Sequence, residues 1–166
     1  MSEDPRFVLD ADVFIRAARD YYAFDLSTQF WEILLEHAGD GRVCSIDRVK
    51  KELDRGKDEL AEWANNQFSD AFASTDRDEV VESYREIMQW VYAQTQFMDA
   101  AKADFADGAD GWLVAYAIVD RRIVVTQEVL APDVRRKVPI PNVCQAFGVR
   151  SVDVFAMLRM LRARPW

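Results

Sequence analysis

The stretch RFVLDADVFIRAA, Arg6 to Ala18, sets an apolar run, Phe7-Val8-Leu9, directly ahead of two acids, Asp10 and Asp12, and follows them with an apolar helical pattern. An apolar run bounded in this way reads as a buried strand at 6–9 feeding a helix from about Val13 through Tyr21. In an open parallel α/β sheet, ligands lie beyond the carboxyl ends of the strands, which is where both acids fall. One of them can cap the helix by accepting from its free amides. A cap does not call for two.

The rest of the chain repeats the alternation. Ser27 through Glu36 reads as a helix with Phe30, Ile33, Leu34 and His37 on one face, and RVCS (42–45) as a short strand. Ser45 is placed to cap a helix through Asp54 whose inner stripe is Ile46, Val49 and Leu53. DELAEWANNQF gives another short helix, and Thr75, three residues before Asp78, is placed to open the long helix of DRDEVVESYREIMQWVYAQT. ADGWLVAYAIVD is apolar nearly all round and reads as a helix buried on both sides. RIVVT is the clearest late strand, and SVDVFAMLRMLRAR an amphipathic closing helix. Strands alternating with helices predict an α/β fold with a central, mostly parallel sheet flanked by helices. No strand is read between about 57 and 105, so that segment is taken as a helical insertion in a single domain, 1–166.

With 166 residues, 50% hydrophobic and 12% aromatic, the chain has ample material for a core. It shows no basic-then-apolar leader and no apolar run near the roughly 20 residues that span a bilayer, so the expectation is a cytoplasmic protein without a membrane partner. Cys44 and Cys144 sit in apolar strings and read as packed thiols. One histidine and two separated cysteines offer no zinc cluster or Cys–His pair, and neither GxxxxGK[ST] nor GxGxxG occurs. Any chemistry rests on acids. The charge is also divided: residues 1–110 carry 12 Lys/Arg against 25 Asp/Glu, and residues 111–166 carry 9 against 4. A basic final third permits phosphate contact, with Arg135, Arg136 and Lys137 its densest cluster.

Four segments supply candidate acids. Asp10 and Asp12 follow the first strand. Glu52 lies on the flank of the Ile46/Val49/Leu53 stripe, at the edge of the core. Asp110 stands in the first turn of the apolar helix, three residues after Asp107, where one of the pair can act as a cap and the other on the helix dipole. Thr126 and Glu128 come directly after the late strand. One α/β topology would bring all of these to a single rim, where crowded carboxylates repel unless a cation neutralises them; Mg²⁺ or Mn²⁺ fits oxygen ligands of this kind.

In order, VLDADVFI, the acid within VKKELDRG, ADGWLVAYA and IVVTQE resemble the acidic motifs of PIN-domain nucleases, the metal-dependent ribonuclease fold of many bacterial toxin–antitoxin toxins. VPIPNVCQAFGV and the closing helix resemble the end of a bacterial PIN-like subfamily. By position, the resemblance makes Asp10, Glu52 and Asp110 the first three catalytic, metal-binding acids and puts Glu128 near the fourth, more often Asp in that family. Asp12 stands where Asn, Ser or Thr is usual and becomes a further metal ligand or an orienting group, while Thr126 matches a supporting hydroxyl. The implied activity is endoribonuclease hydrolysis of RNA by a metal-activated water, in the toxin of a toxin–antitoxin pair, with an RNA substrate, a protein antitoxin and a homodimer as partners. The Arg135–Arg136–Lys137 cluster would hold the RNA backbone, and Trp112 could stack a base.

Two other readings compete. VLDADVF also resembles the DxD opening of haloacid-dehalogenase-like phosphatases, but Phe14 stands where Thr or Val is usual and no downstream lysine with paired acids follows. A PIN-like fold can also serve as a non-catalytic binding or regulatory module; all three central acids are present, which favours an enzyme.

Overall fold

The computed structural model describes residues 4–165. Its centre is β1 (Phe7–Leu9), buried along its whole length as an uninterrupted apolar strand between two neighbours must be. The chain leaves β1 through α1 (Ala11–Arg16), a single π-helical turn at Ala17–Tyr21 and α2 (Thr28–Gly39), then returns in β2 (Val43–Ile46). From β2 it runs through α3 (Asp47–Asp54) and α4 (Glu59–Asn66) to β3 (Phe72–Ala73). Three helices follow, α5 (Asp78–Ala93), α6 (Asp99–Asp107) and α7 (Asp110–Asp120), then β4 (Ile123–Val125), α8 (Ile140–Ala146), β5 (Ser151–Val152) and α9 (Val154–Met160).

The sheet order is β3-β2-β1-β4-β5 and every pairing is parallel. Val8 stands opposite Cys44 on one side and Val124 on the other. With every strand pointing the same way, the residues after β1, β2, β4 and β5 emerge along one edge of the sheet. Helices cover both faces, and α7, apolar all round as its sequence suggests, packs chiefly against α5 while also touching β1, β2 and β4.

Several details depart from the expectation. The segment 57–105 is not free of strands: β3 lies within it and pairs with β2. At two residues it is too short to leave a periodic trace in sequence. Ser45 caps nothing; it is buried in β2 and its hydroxyl donates to the Leu9 carbonyl at 2.6 Å. Thr75 caps nothing either, because its hydroxyl and amide both turn to Asp47, at 2.8 and 3.2 Å. Asp107 ends α6 instead of capping α7, whose N-cap position is Ala109. Ser151 and Val152 form edge strand β5, so α9 starts only after Asp153, which caps it. Among the described residues no helix is long and apolar enough to cross a membrane. Both cysteines are buried free thiols.

Candidate metal centre

Asp10 takes the N-cap position of α1, yet its carboxylate makes no capping bond. Instead Oδ2 accepts the Thr126 hydroxyl at 2.9 Å, tying the end of β1 to the end of β4. The hydroxyl is also within 3.4 Å of Asp12 Oδ2 and accepts the Glu128 amide at 3.1 Å. Asp12, in the first turn of α1, has both oxygens 3.2 Å from the Gln127 amide, which donates to them. The two acids of the opening stretch are therefore held by the β4 segment rather than used as caps. One carboxylate oxygen from each of Asp10, Asp12 and Glu128 lies within 4.8 Å of the other two, a spacing that can hold a metal ion.

Asp110, at the start of α7, lies close enough to this group to feel its charges. Its carboxyl is pushed up to about 7, by burial first and then by the charges of Glu128, Glu52 and Asp12, with Lys137 pulling the other way. Asp10 is raised well above the usual carboxylate range, again by burial first and then by Asp12, Asp110 and Glu128. Glu52 is raised by burial, which the Ala109 amide and Arg55 counter only in part. The five acids thus form a chain of influence: Asp10, Asp12 and Glu128 are tight, Asp110 stands beside them, and Glu52 is linked through Asp110. The sequence resemblance groups Asp10 with Glu52 and Asp110; the shortest spacings join Asp10 to Asp12 and Glu128.

The basic cluster divides. Arg136 and Lys137 line a cleft of about 240 Å³ together with Asp110 and Asp104. The Lys137 ammonium lies 3.1 Å from Glu128 Oε1. Arg135 is exposed and lies outside that lining. Trp112 has no free face for a base: Tyr84 stacks on one side at 3.9 Å between centroids, and the Arg48 guanidinium covers the other at 4.0 Å. Arg48 is further fixed by donating Nε to Thr75 at 3.2 Å. This stack fastens α3, which carries Glu52, to α7, which carries Asp110.

A hard divalent cation suits the donor set, since the carboxylates crowd one edge, two of them are strongly raised by burial and mutual charge, and all the ligand atoms on offer are oxygens. Two participants carried little sequence signal. Gln127 contributes through its backbone amide, and its side chain also accepts from Val154 at 2.9 Å, joining the site to α9. Asn142 holds Ala131 by both backbone groups, at 2.9 and 3.0 Å, and so fixes the loop beyond Glu128. A polar residue buried next to Pro141 was the available clue.

The family described as a domain of unknown function, DUF4411, matches residues 7–165. The chain belongs to the DUF4411 family. No curated protein matches this member in sequence. Among solved structures, it is similar to a chain in VapBC2 from Rickettsia felis, solved bound to a DNA fragment from their promoter, with TM-score 0.53 and 12% identity over 89% of this chain and 97% of that one. It is also similar to a chain in FitAB bound to an IR36 DNA fragment, with TM-score 0.55 and 18% identity over 89% of this chain and 94% of the other. These likenesses identify the fold of this DUF4411 chain as PIN-like, as its acidic motifs implied.

Proposed function

We propose that this chain is a metal-dependent endoribonuclease, a single PIN-like domain acting in the cytoplasm as the toxin of a toxin–antitoxin pair. The observation that supports this reading best is the convergence of Asp10, Asp12 and Glu128, with the charge of Asp110 felt among them, at the carboxyl edge of an all-parallel sheet. The likeness to chains of VapBC2 and FitAB supports a protein antitoxin as partner.

Asp10, Asp110 and Glu52 are the acids assigned to the metal by resemblance, with Asp12 and Glu128 close enough to complete the set. A bound Mg²⁺ or Mn²⁺ supplies Lewis-acid polarisation of the phosphate and activation of the attacking water. The chain's own contribution is placement. Thr126 fixes the Asp10 carboxylate through its hydroxyl, and the Gln127 amide fixes Asp12. In the metal-free protein, Asp110 can retain a proton near neutral pH. Arg136, in the cleft beside Asp110, offers the RNA backbone positive charge where the acids alone would repel it, while Lys137 is turned to Glu128.

The test combines cleavage with growth. Purified wild type and Asp10→Asn, the latter keeping an acceptor for Thr126, are incubated with defined tRNA, rRNA and mRNA fragments in Mg²⁺, in Mn²⁺ and in chelator. Both proteins are also induced to equal levels in cells and total RNA is inspected. The expected result is metal-dependent cleavage and growth arrest with wild type only, with at least a hundredfold lower cleavage rate for Asp10→Asn. Equal toxicity and equal cleavage from both proteins would overturn the proposal, and binding of RNA without cleavage in either metal would favour a non-catalytic module.

A further inference from the structure

The loop from β4 to α8 carries a cation into the acids and is tied down along its length. Asn142 holds Ala131, Gln96 donates to the carbonyls of Pro132 and Val134 at 2.6 and 2.8 Å, and the Met98 amide donates to the Arg135 carbonyl at 2.8 Å. Lys137 leaves this anchored loop with its ammonium 3.1 Å from Glu128 Oε1 and lines the same cleft as Asp110. The same Glu128 oxygen accepts the Ile140 amide at 3.3 Å. Oε1 is thus engaged twice, and one oxygen, Oε2, is left for any other ligand.

We propose that Lys137 takes the place of a second cation, so that the acids bind a single divalent ion opposite a built-in ammonium. The inference rests on the metal-binding reading of the site. Two-ion phosphotransfer sites keep their ions about 3.5–4 Å apart and need carboxylates on both. Here the acid in the fourth position is already paired by a side chain that the loop anchorage directs at it. An ammonium also opposes a further divalent ion: even at the dielectric of bulk water, charges of +1 and +2 about 6 Å apart reduce affinity about tenfold.

The experiment is a Mn²⁺ titration by equilibrium dialysis on metal-stripped, RNA-free protein, for wild type, Lys137→Arg and Lys137→Met. Thermal melts in chelator establish that all three are folded, which the exposed position of Lys137 favours. Wild type and Lys137→Arg are expected to bind one Mn²⁺ per chain. Lys137→Met should take up a second ion or bind the first at least about tenfold more tightly. Two Mn²⁺ of similar affinity in wild type, or a Lys137→Met isotherm indistinguishable from wild type, would overturn the inference. No Mn²⁺ binding by any of the three would sink the metal-binding reading and this inference with it. One bound Mn²⁺ with the expected Lys137→Met change, but no RNA cleavage, would sink the nuclease reading alone.

Discussion

Asp110 shows how one residue reports on its neighbours. A carboxyl raised from near 3.8 to about 7 is protonated more readily in the folded chain than in the unfolded one, so folding is favoured at low pH and loses stability as pH rises through that window. Each pH unit inside it costs up to about 1.4 kcal/mol. In chelator, wild type is therefore expected to lose about 1–2 kcal/mol or more of unfolding free energy between pH 5 and pH 7, and Asp110→Asn less, because the buried Asp10 carboxyl still adds to the loss. Urea titrations at the two pH values measure this, and a steeper loss in Asp110→Asn than in wild type would contradict it. A residue serving only the helix dipole would behave in the opposite way, since removing its charge weakens the helix at neutral pH. The position of Asp110 was readable because an acid before an all-round apolar helix has to face an opening. Its partners were less readable: helical phase gives the direction of Glu52 but not its distance, and nothing in sequence joins Lys137 to Glu128 nine residues earlier.

Between elements, Gly111 decides how closely α7 can approach its neighbours. A Cβ there would stand 3.0 Å from Tyr84 Cε2 on α5 and 3.1 Å from Phe105 Cε1 on α6. Alanine favours a helix over glycine by about 1 kcal/mol, whereas overpacking a filled interior costs about 1–3 kcal/mol. Gly111→Ala is thus expected to destabilise by about 1 kcal/mol, lowering the melting temperature by about 2–4 °C, and to disturb the Tyr84–Trp112–Arg48 stack. Thermal melts with tryptophan fluorescence check both, and a more stable variant would mean that the rings yield without loss. The helices α5 and α7 were legible because their apolar patterns run for several turns, and β1 and β4 because each is an unbroken apolar run between polar stops. β3 and β5 were not, because two residues cannot show a period and both take their identity from the strand beside them. Thr75 and Ser45 carried believable capping patterns, but Asp47 and the Leu9 carbonyl offered partners that sequence spacing cannot reveal.

Over the whole molecule, the basic final third does not act as one surface. Lys137 is neutralised by Glu128, whereas Arg135 and Arg136 are exposed and have no acid partner among the described residues. Single-stranded RNA releases about 0.7 counterion per phosphate contact. Replacing both arginines with alanine in an Asp10→Asn background should therefore reduce the slope of log affinity against log salt by about 1.4, and adding Lys137→Ala should change it little further. Fluorescence anisotropy over a salt series measures both, and an unchanged slope in the double variant would place these arginines outside the RNA path. The central position of β1 has a consequence for synthesis. Its first neighbour, β2, emerges early, but Thr126, which anchors Asp10, lies 116 positions downstream. At about 5–20 residues per second, a ribosome needs on the order of ten seconds to cover that distance. Throughout that interval the nascent chain carries its first acids with nothing to hold them in place, so whatever the finished protein does at this edge, the growing one does not yet do.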